Sequence, residues 1–259
     1  MIFFYFIVCI TCVIGSALTF FSGFGLGTIL LPVFGIFFPI EIAIALTAIV
    51  HFLNNIFKLF LVGKHINKSI LLRFGLPSVL AAFAGAFILS LISHLSPIYS
   101  YSFLNQINHI TPVKLTIATL LIFFSLFELI PSLNKLEFDT NKLILGGLLS
   151  GFFGGLSGNQ GALRSAFLMR SGLSKESFIA TGVAIACFVD VSRLSIYASN
   201  SLPHFQNINI NLMLAATLSA FTGAFMGNKL LKKVSLNVFK IFVSLALFLF
   251  AILLGFGLI

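Results

Sequence analysis

Apolar residues run along this chain in long uninterrupted blocks, at about 2 to 38, 41 to 62, 70 to 93, 113 to 130, 143 to 171, 176 to 199, 212 to 230 and 236 to 258. A helix needs about 20 such residues to cross the bilayer core, and every block reaches or approaches that length. A transmembrane barrel would alternate apolar and polar residues at every second position. The blocks therefore predict an all-α, polytopic integral membrane protein. A hydrophobic share of 59%, a charged share of 8% and a mean hydropathy of +1.15 leave no segment for a soluble domain. The first block begins without a basic segment or a small-residue cleavage pattern, so it reads as a retained helix rather than a removed signal peptide.

Two blocks are interrupted by glycine clusters, SGFGLG at 22 to 27 and GGLSGNQG at 154 to 161, and glycine lowers helix propensity and favours a turn. The clusters occupy matching places in two halves. Ser22-Gly23 falls on Ser157-Gly158, Gly27 on Gly161, and Leu46-Thr47 on Ala180-Thr181; further on, Phe83-Ala84-Gly85-Ala86-Phe87 matches Phe221-Thr222-Gly223-Ala224-Phe225. The single membrane domain over 1–259 thus divides into repeat one at 1–130, a cytoplasmic linker at 131–141 and repeat two at 142–259.

Charge decides how the repeats are oriented. If every block crosses once, the loop cations divide almost evenly between the two faces. If the broken blocks are re-entrant hairpins that enter and leave on one face, ten of eleven loop cations share a side, Lys114 being the exception. The second arrangement obeys the positive-inside rule. It gives two inverted repeats, each a glycine-broken helical hairpin plus three transmembrane helices, with both termini and the loops at 94 to 112 and 200 to 211 outside. Inverted repeats with discontinuous helices are an architecture of secondary transporters. The expected location is a membrane of the bacterial inner, or plasma, type.

At each tip the second half-helix starts just after the glycine cluster. Its first backbone N–H groups lack helical partners and carry the positive end of the helix dipole. That is a ready site for a small oxyanion, which glycine lets approach closely. Ser22, Gly23, Gly25 and Gly27 form the first candidate tip. Ser157, Gly158, Asn159, Gln160 and Gly161 form the second, with Arg164 in the first turn or so beyond it. An intramembrane arginine is a functional candidate by default. The plainer alternatives are that the glycines serve close helix packing and that Arg164 makes a structural ion pair.

Asp190 and Arg193 share a helix face at a spacing of three, and Tyr197 continues the stripe. Thr47, His51, Asn55 and Lys58 form a comparable stripe in the first half. His51, Asn55, Asp190 and Arg193 are the coupling or gating candidates: Asp190 would take up a proton when Arg193 engages an anion, and histidine titrates near neutrality. A self-neutralised pair and a hydrogen-bonded structural histidine are the alternatives. Lys58 and Lys240 lie four or five residues from the cytoplasmic ends of their helices, where snorkelling is expected.

Other chemistry finds little support. The net charge of +9 sits in short loops, which argues for membrane orientation and against nucleic acid. Cys9, Cys12 and Cys187 lie in apolar segments and read as packing thiols. Gly155-Leu156-Ser157-Gly158 matches the GxSG pattern of rhomboid intramembrane proteases, but the only histidine after Ser157 is His204, in an expected outer loop. No metal-ligand cluster, phosphate-binding loop or ATP-driven module is present, so no enzyme activity, metal or cofactor is expected.

The stretch SGFGLGTILLPVFG with its following Ala45-Leu46-Thr47 helix, and GGLLSGFFGGLSGNQGALRSAFL with the Ala180-Thr181 helix, resemble the TauE/SafE sulfite exporter family of membrane transporters. The resemblance covers nearly the whole chain in segment order. It implies a carrier of small sulfur-containing anions such as sulfite or organosulfonates; the inverted repeats add alternating access in membrane lipid, with a proton or sodium ion as candidate coupling partner. Ala166 stands where the first half has Pro32, and Arg164 is a further departure. A passive anion channel using the same tips and a non-transporting membrane assembly protein are the alternatives. The anion, the direction, the coupling ion and the oligomeric state stay open at this level.

Overall fold

Both glycine clusters break a helix at a residue with positive φ. In a computed structural model, which describes residues 2–22, 25–103, 105–199, 209–230 and 237–259, α1 (Ile2–Ser22) gives way at Gly25, φ 88°, to the 12-residue α2 (Leu26–Phe37). The 15-residue α8 (Leu143–Ser157) ends at Gly158, φ 78°, before the eight-residue α9 (Gly161–Leu168). L side chains rarely adopt that backbone region. Gly23, the Ser22 side chain, Ser201, His204, Lys232 and Lys233 lie outside the described residues.

Between the broken pairs stand α3 (Ile40–Val62) and α4 (Lys68–Ile70), which continues through a π-turn at Leu71–Gly75 into α5 (Leu76–Ser93). Then come α6 (Pro112–Leu129) and a short α7 (Pro131–Asn134). After α9 follow α10 (Lys175–Ser199), α11 (Ile210–Leu230) and α12 (Asn237–Gly255). Among the described residues, seven helical segments are long and apolar enough to cross a membrane. Large apolar side chains face outward, Phe60 at 83% and Leu80 and Phe242 at 71% exposure, as lipid contact requires.

The two broken blocks differ in length. At 1.5 Å per residue α8 is about 22 Å and α9 about 12 Å, both short of the roughly 30 Å core, whereas α1 is about 31 Å and has the length of a full span. Even so, each pair folds back to the side it started from. The Phe4 ring on α1 stands 4.4 Å from Phe37 and 5.5 Å from Phe38 at the far end of α2. In the second pair Phe167 of α9 packs directly on Gly146 near the start of α8.

Each first arm is held by a helix of the other half through small residues. Gly147, Gly151 and Gly155 of α8 meet the backbone at Phe74, Ser78 and Ala82; Gly223 and Gly227 of α11 meet it at Val13 and Ala17 of α1. A Cβ at any of the five would collide with backbone. Such close approach is how membrane helices gain packing energy without a hydrophobic driving force. Residue numbers rise together in both pairings, so α8 runs parallel to α5 and α1 parallel to α11.

The outer loop expected at 94 to 112 contains a two-stranded antiparallel hairpin, β1 (Tyr99–Phe103) with β2 (Gln106–Ile110). The Tyr101 hydroxyl donates to the Phe256 carbonyl at 2.7 Å, so the hairpin and the end of α12 share one face of the bundle.

Candidate functional site

α3 and α10 cross at the centre and bring the two polar stripes together. His51 and Asn55 lie one turn apart on α3; Asp190, Arg193 and Tyr197 follow one another up α10. His51 Nδ1 stands 2.7 Å from Asp190 Oδ2, and Asn55 Nδ2 donates to the same oxygen at 3.3 Å. A carboxylate only accepts, so His51 donates from Nδ1. Arg193 Nε donates to Asp190 Oδ1 at 3.0 Å, with Nη2 2.8 Å from that oxygen. The Tyr197 hydroxyl donates to the Gly155 carbonyl at 3.1 Å. All five side chains are buried, Asp190 completely.

This network joins the two helix breaks. A Cβ on Gly25 would lie 3.6 Å from His51 Nε2, and one on Gly27 would touch His51 and Thr47. At the other break a Cβ on Gly158 would strike the Arg193 guanidinium. The path from the first tip to the second therefore runs Gly25, His51, Asp190, Arg193, Gly158.

Beside the network is a cavity of ≈ 30 Å³ lined by His51, Asn55, Gly25, Lys58 and Arg164, with Thr19, Ser165, Phe178 and Gly182 completing the wall. Lys58 is 3% exposed, its ammonium 5.5 Å from the centre of the Phe20 ring. The expectation that Lys58 snorkels to the cytoplasmic surface is thus overturned. Phe20 at the end of α1 covers it, and it points inward along the stripe of His51 and Asn55. Lys240 does keep a partly exposed position, 3.9 Å from Glu128. Arg164 is 7% exposed and its Nη1 has no hydrogen-bond partner. Neither Lys58 nor Arg164 has a salt bridge among the described residues. Three basic side chains, Lys58, Arg164 and Arg193, lie in this region, and Asp190, paired with Arg193 and His51, is its one carboxylate among the described residues.

The second tip distributes its residues differently from one shared anion pocket. The Ser157 hydroxyl donates to the Phe153 carbonyl at 3.0 Å and receives the Asn159 N–H at 3.3 Å, so it caps its own helix. Asn159 and Gln160 are each 2% exposed, and neither amide has a side-chain partner. Asn159 and Gly161 line a separate void of ≈ 10 Å³ with Thr28 and Glu128. Of the candidate substrate-binding residues, Gly25 and Arg164 border the cation-lined cavity. Lys58 and Glu128 were not among the candidates, although Lys58 continues the His51 stripe and Glu128 is a carboxyl within an apolar block, both readable signals. Among the described residues no group of three His, Cys, Asp or Glu is placed to hold a metal ion.

Apolar spans, two helices broken at matched positions and a buried polar cavity between them define an integral membrane transport protein. The sequence profile of the sulfite exporter TauE/SafE family matches residues 7–254, nearly the whole chain, and the chain belongs to that family. Comparison with curated proteins gave no match.

Proposed function

We propose that the protein is a secondary transporter of a small sulfur-containing anion, of the sulfite or organosulfonate class. The observation that carries this reading is the pair Lys58 and Arg164: two buried cations on one cavity, neither in a salt bridge among the described residues. An uncompensated buried charge is costly, and an anion in the cavity offsets it. By the same measure one water needs about 10–15 Å³, so the cavity has room for about two waters, and the anion enters as the lining opens.

Movement follows from the two halves. The fold-back of each broken pair, Phe4 of α1 on Phe37 of α2 and Phe167 of α9 on Gly146 of α8, supports inverted repeats, and the parallel packing of α1 on α11 and of α8 on α5 fits them. The hairpins then enter from opposite faces, with the cation-rich loops inside and both termini outside. Rocking one repeat against the other gives alternating access. The network of His51, Asn55, Asp190 and Arg193 lies where the repeats meet and is the candidate coupling element, for a proton or a sodium ion.

The test is uptake of labelled sulfite into proteoliposomes, with sulfate, chloride and an organosulfonate as competitors, with and without a pH gradient. Saturable uptake driven uphill by a gradient is expected, with sulfite preferred over chloride. Non-saturating, downhill-only flux would make the protein a channel, and no flux would remove the transport reading.

A further inference from the structure

A second, larger cavity of ≈ 120 Å³ opens beside the first and shares two of its walls, Ser165 and Phe178. Its outer rim is made of Leu136 and Glu137 from the linker, Met169 at the end of α9 and Lys240 at the start of α12. Met169 is 61% exposed, and the linker and the Arg170 turn are tied together there by Arg170 Nε to Glu137 at 3.1 Å. This rim is the face that bears the cation-rich loops. The cavity runs inward along α9 past Ala166 and Ala162. By volume it holds a small hydrated oxyanion, given about 10–15 Å³ per water.

The two sides of the cation-lined cavity are closed to different depths. Toward the termini, the buried layer of His51, Asp190, Arg193 and Tyr197 stands in the way, bound into one hydrogen-bonded unit across α3, α8 and α10. Toward the larger cavity, Ser165 and Phe178 are the described residues that line both spaces, and both are partly exposed while Arg164 and Ile179 beside them are buried. Phe178 sits in the first turn of α10, whose N-terminal segment packs on the apolar cluster of Phe20, Val62 and Ile179.

We infer that the larger cavity is the cytoplasmic access path to the cation-lined cavity and that the Phe178 ring is its gate. The inference rests on the transport reading for what passes through, while the path itself is a property of the fold. Rotation of one aromatic ring joins the two spaces. Opening the other side requires parting the ion-paired layer, which couples outward opening to movement of α3 against α10.

The experiment is cysteine accessibility in the full-length protein in oriented vesicles, with a membrane-impermeant anionic methanethiosulfonate. Met169→Cys at the rim and Ser165→Cys at the partition are compared over the background of the native cysteines. Both should react from the cytoplasmic face, Met169→Cys fast and Ser165→Cys slowly. Adding Phe178→Ala should speed Ser165→Cys at least tenfold and leave Met169→Cys unchanged. Reaction of Ser165→Cys from the outer face alone, or a rate indifferent to Phe178→Ala, would overturn the path and its gate. Labelling needs no flux, so a protein that shows the path but carries no sulfite would count against the transport reading alone.

Discussion

His51 and Asp190 lie 139 positions apart in the chain and 2.7 Å apart in space. This hydrogen bond, with that of Asn55 to the same oxygen, joins the polar stripe of α3 to that of α10, and Arg193 holds the other carboxylate oxygen. Asp190→Asn would leave Arg193 without its counter-charge in a fully buried position. Breaking one side of a buried pair typically destabilises by about 3–5 kcal/mol, so a clearly lower melting temperature is expected in detergent. His51→Gln alters a hydrogen bond to a carboxylate, worth about 1.5–3 kcal/mol, but glutamine keeps a donor, so this variant should melt closer to the parent than Asp190→Asn. Both variants should flatten the dependence of sulfite flux on pH across the range where histidine titrates. A slope retained in both would clear the pair of coupling.

Lys58 and Arg164 should each be indispensable for flux, and for the same reason. Two unit charges 4 Å apart attract by about 4 kcal/mol at an effective dielectric constant of 20. Removing either cation therefore weakens anion binding by up to about three powers of ten. Arg164→Ala and Lys58→Ala should insert normally and lose sulfite uptake, while Lys58→Arg keeps part of it. Unchanged uptake in either alanine variant would remove that residue from the site.

Glycine at the helix pairings serves backbone contact, and this too is open to measurement. A Cβ at Gly85 would collide with the Phe152 carbonyl of α8, and one at Gly223 with the Val13 carbonyl of α1. These two glycines occupy matching places in the repeats. Gly85→Ala and Gly223→Ala should each destabilise the protein by about 1–3 kcal/mol, the usual range for overpacking, read as similar losses in thermal stability. Gly172, with nothing near its Cβ position but a φ of 69°, separates the two effects: alanine there should bring only the smaller backbone strain. Losses at Gly85 and Gly223 no larger than at Gly172 would mean that close backbone packing is not what these two glycines serve.

Much of this was legible in the chain because membrane helices announce themselves by length and composition, and because glycine clusters at 22 to 27 and 154 to 161 mark the breaks. The pairing of Asp190 with Arg193 followed from helix spacing alone. What spacing along one helix does not reveal is which stripes meet, so the His51 to Asp190 bond depended on the crossing of α3 and α10. The distance of Lys58 from its helix end allows snorkelling, and only the placement of Phe20 closes that route. The β-hairpin carries little sequence signal, because the alternation Tyr99-Ser100-Tyr101-Ser102-Phe103 is short and lies among loop-like residues. Asn159 was readable as polar at a tip, but not as facing a void with Thr28 and Glu128.

The orientation of the hairpins yields the sharpest topological test. The turn after α9 returns to the face where α8 began, so Ser171 belongs with the linker and the cation-rich loops. The β-hairpin, tied to the end of α12 by Tyr101, belongs to the opposite face. Cysteines at Ser171 and at exposed Ser102 should accordingly be labelled from the cytoplasmic and the outer side respectively by an impermeant maleimide. An even number of crossings separates them if the second broken block traverses the membrane, and an odd number if it is re-entrant: α6 carries the chain from Ser102 to the linker, and α8 with α9 then adds one further crossing or none. Labelling of both from the same side would therefore mean that α8 and α9 together span, and the inverted arrangement, with its opposed hairpin tips, would have to be abandoned.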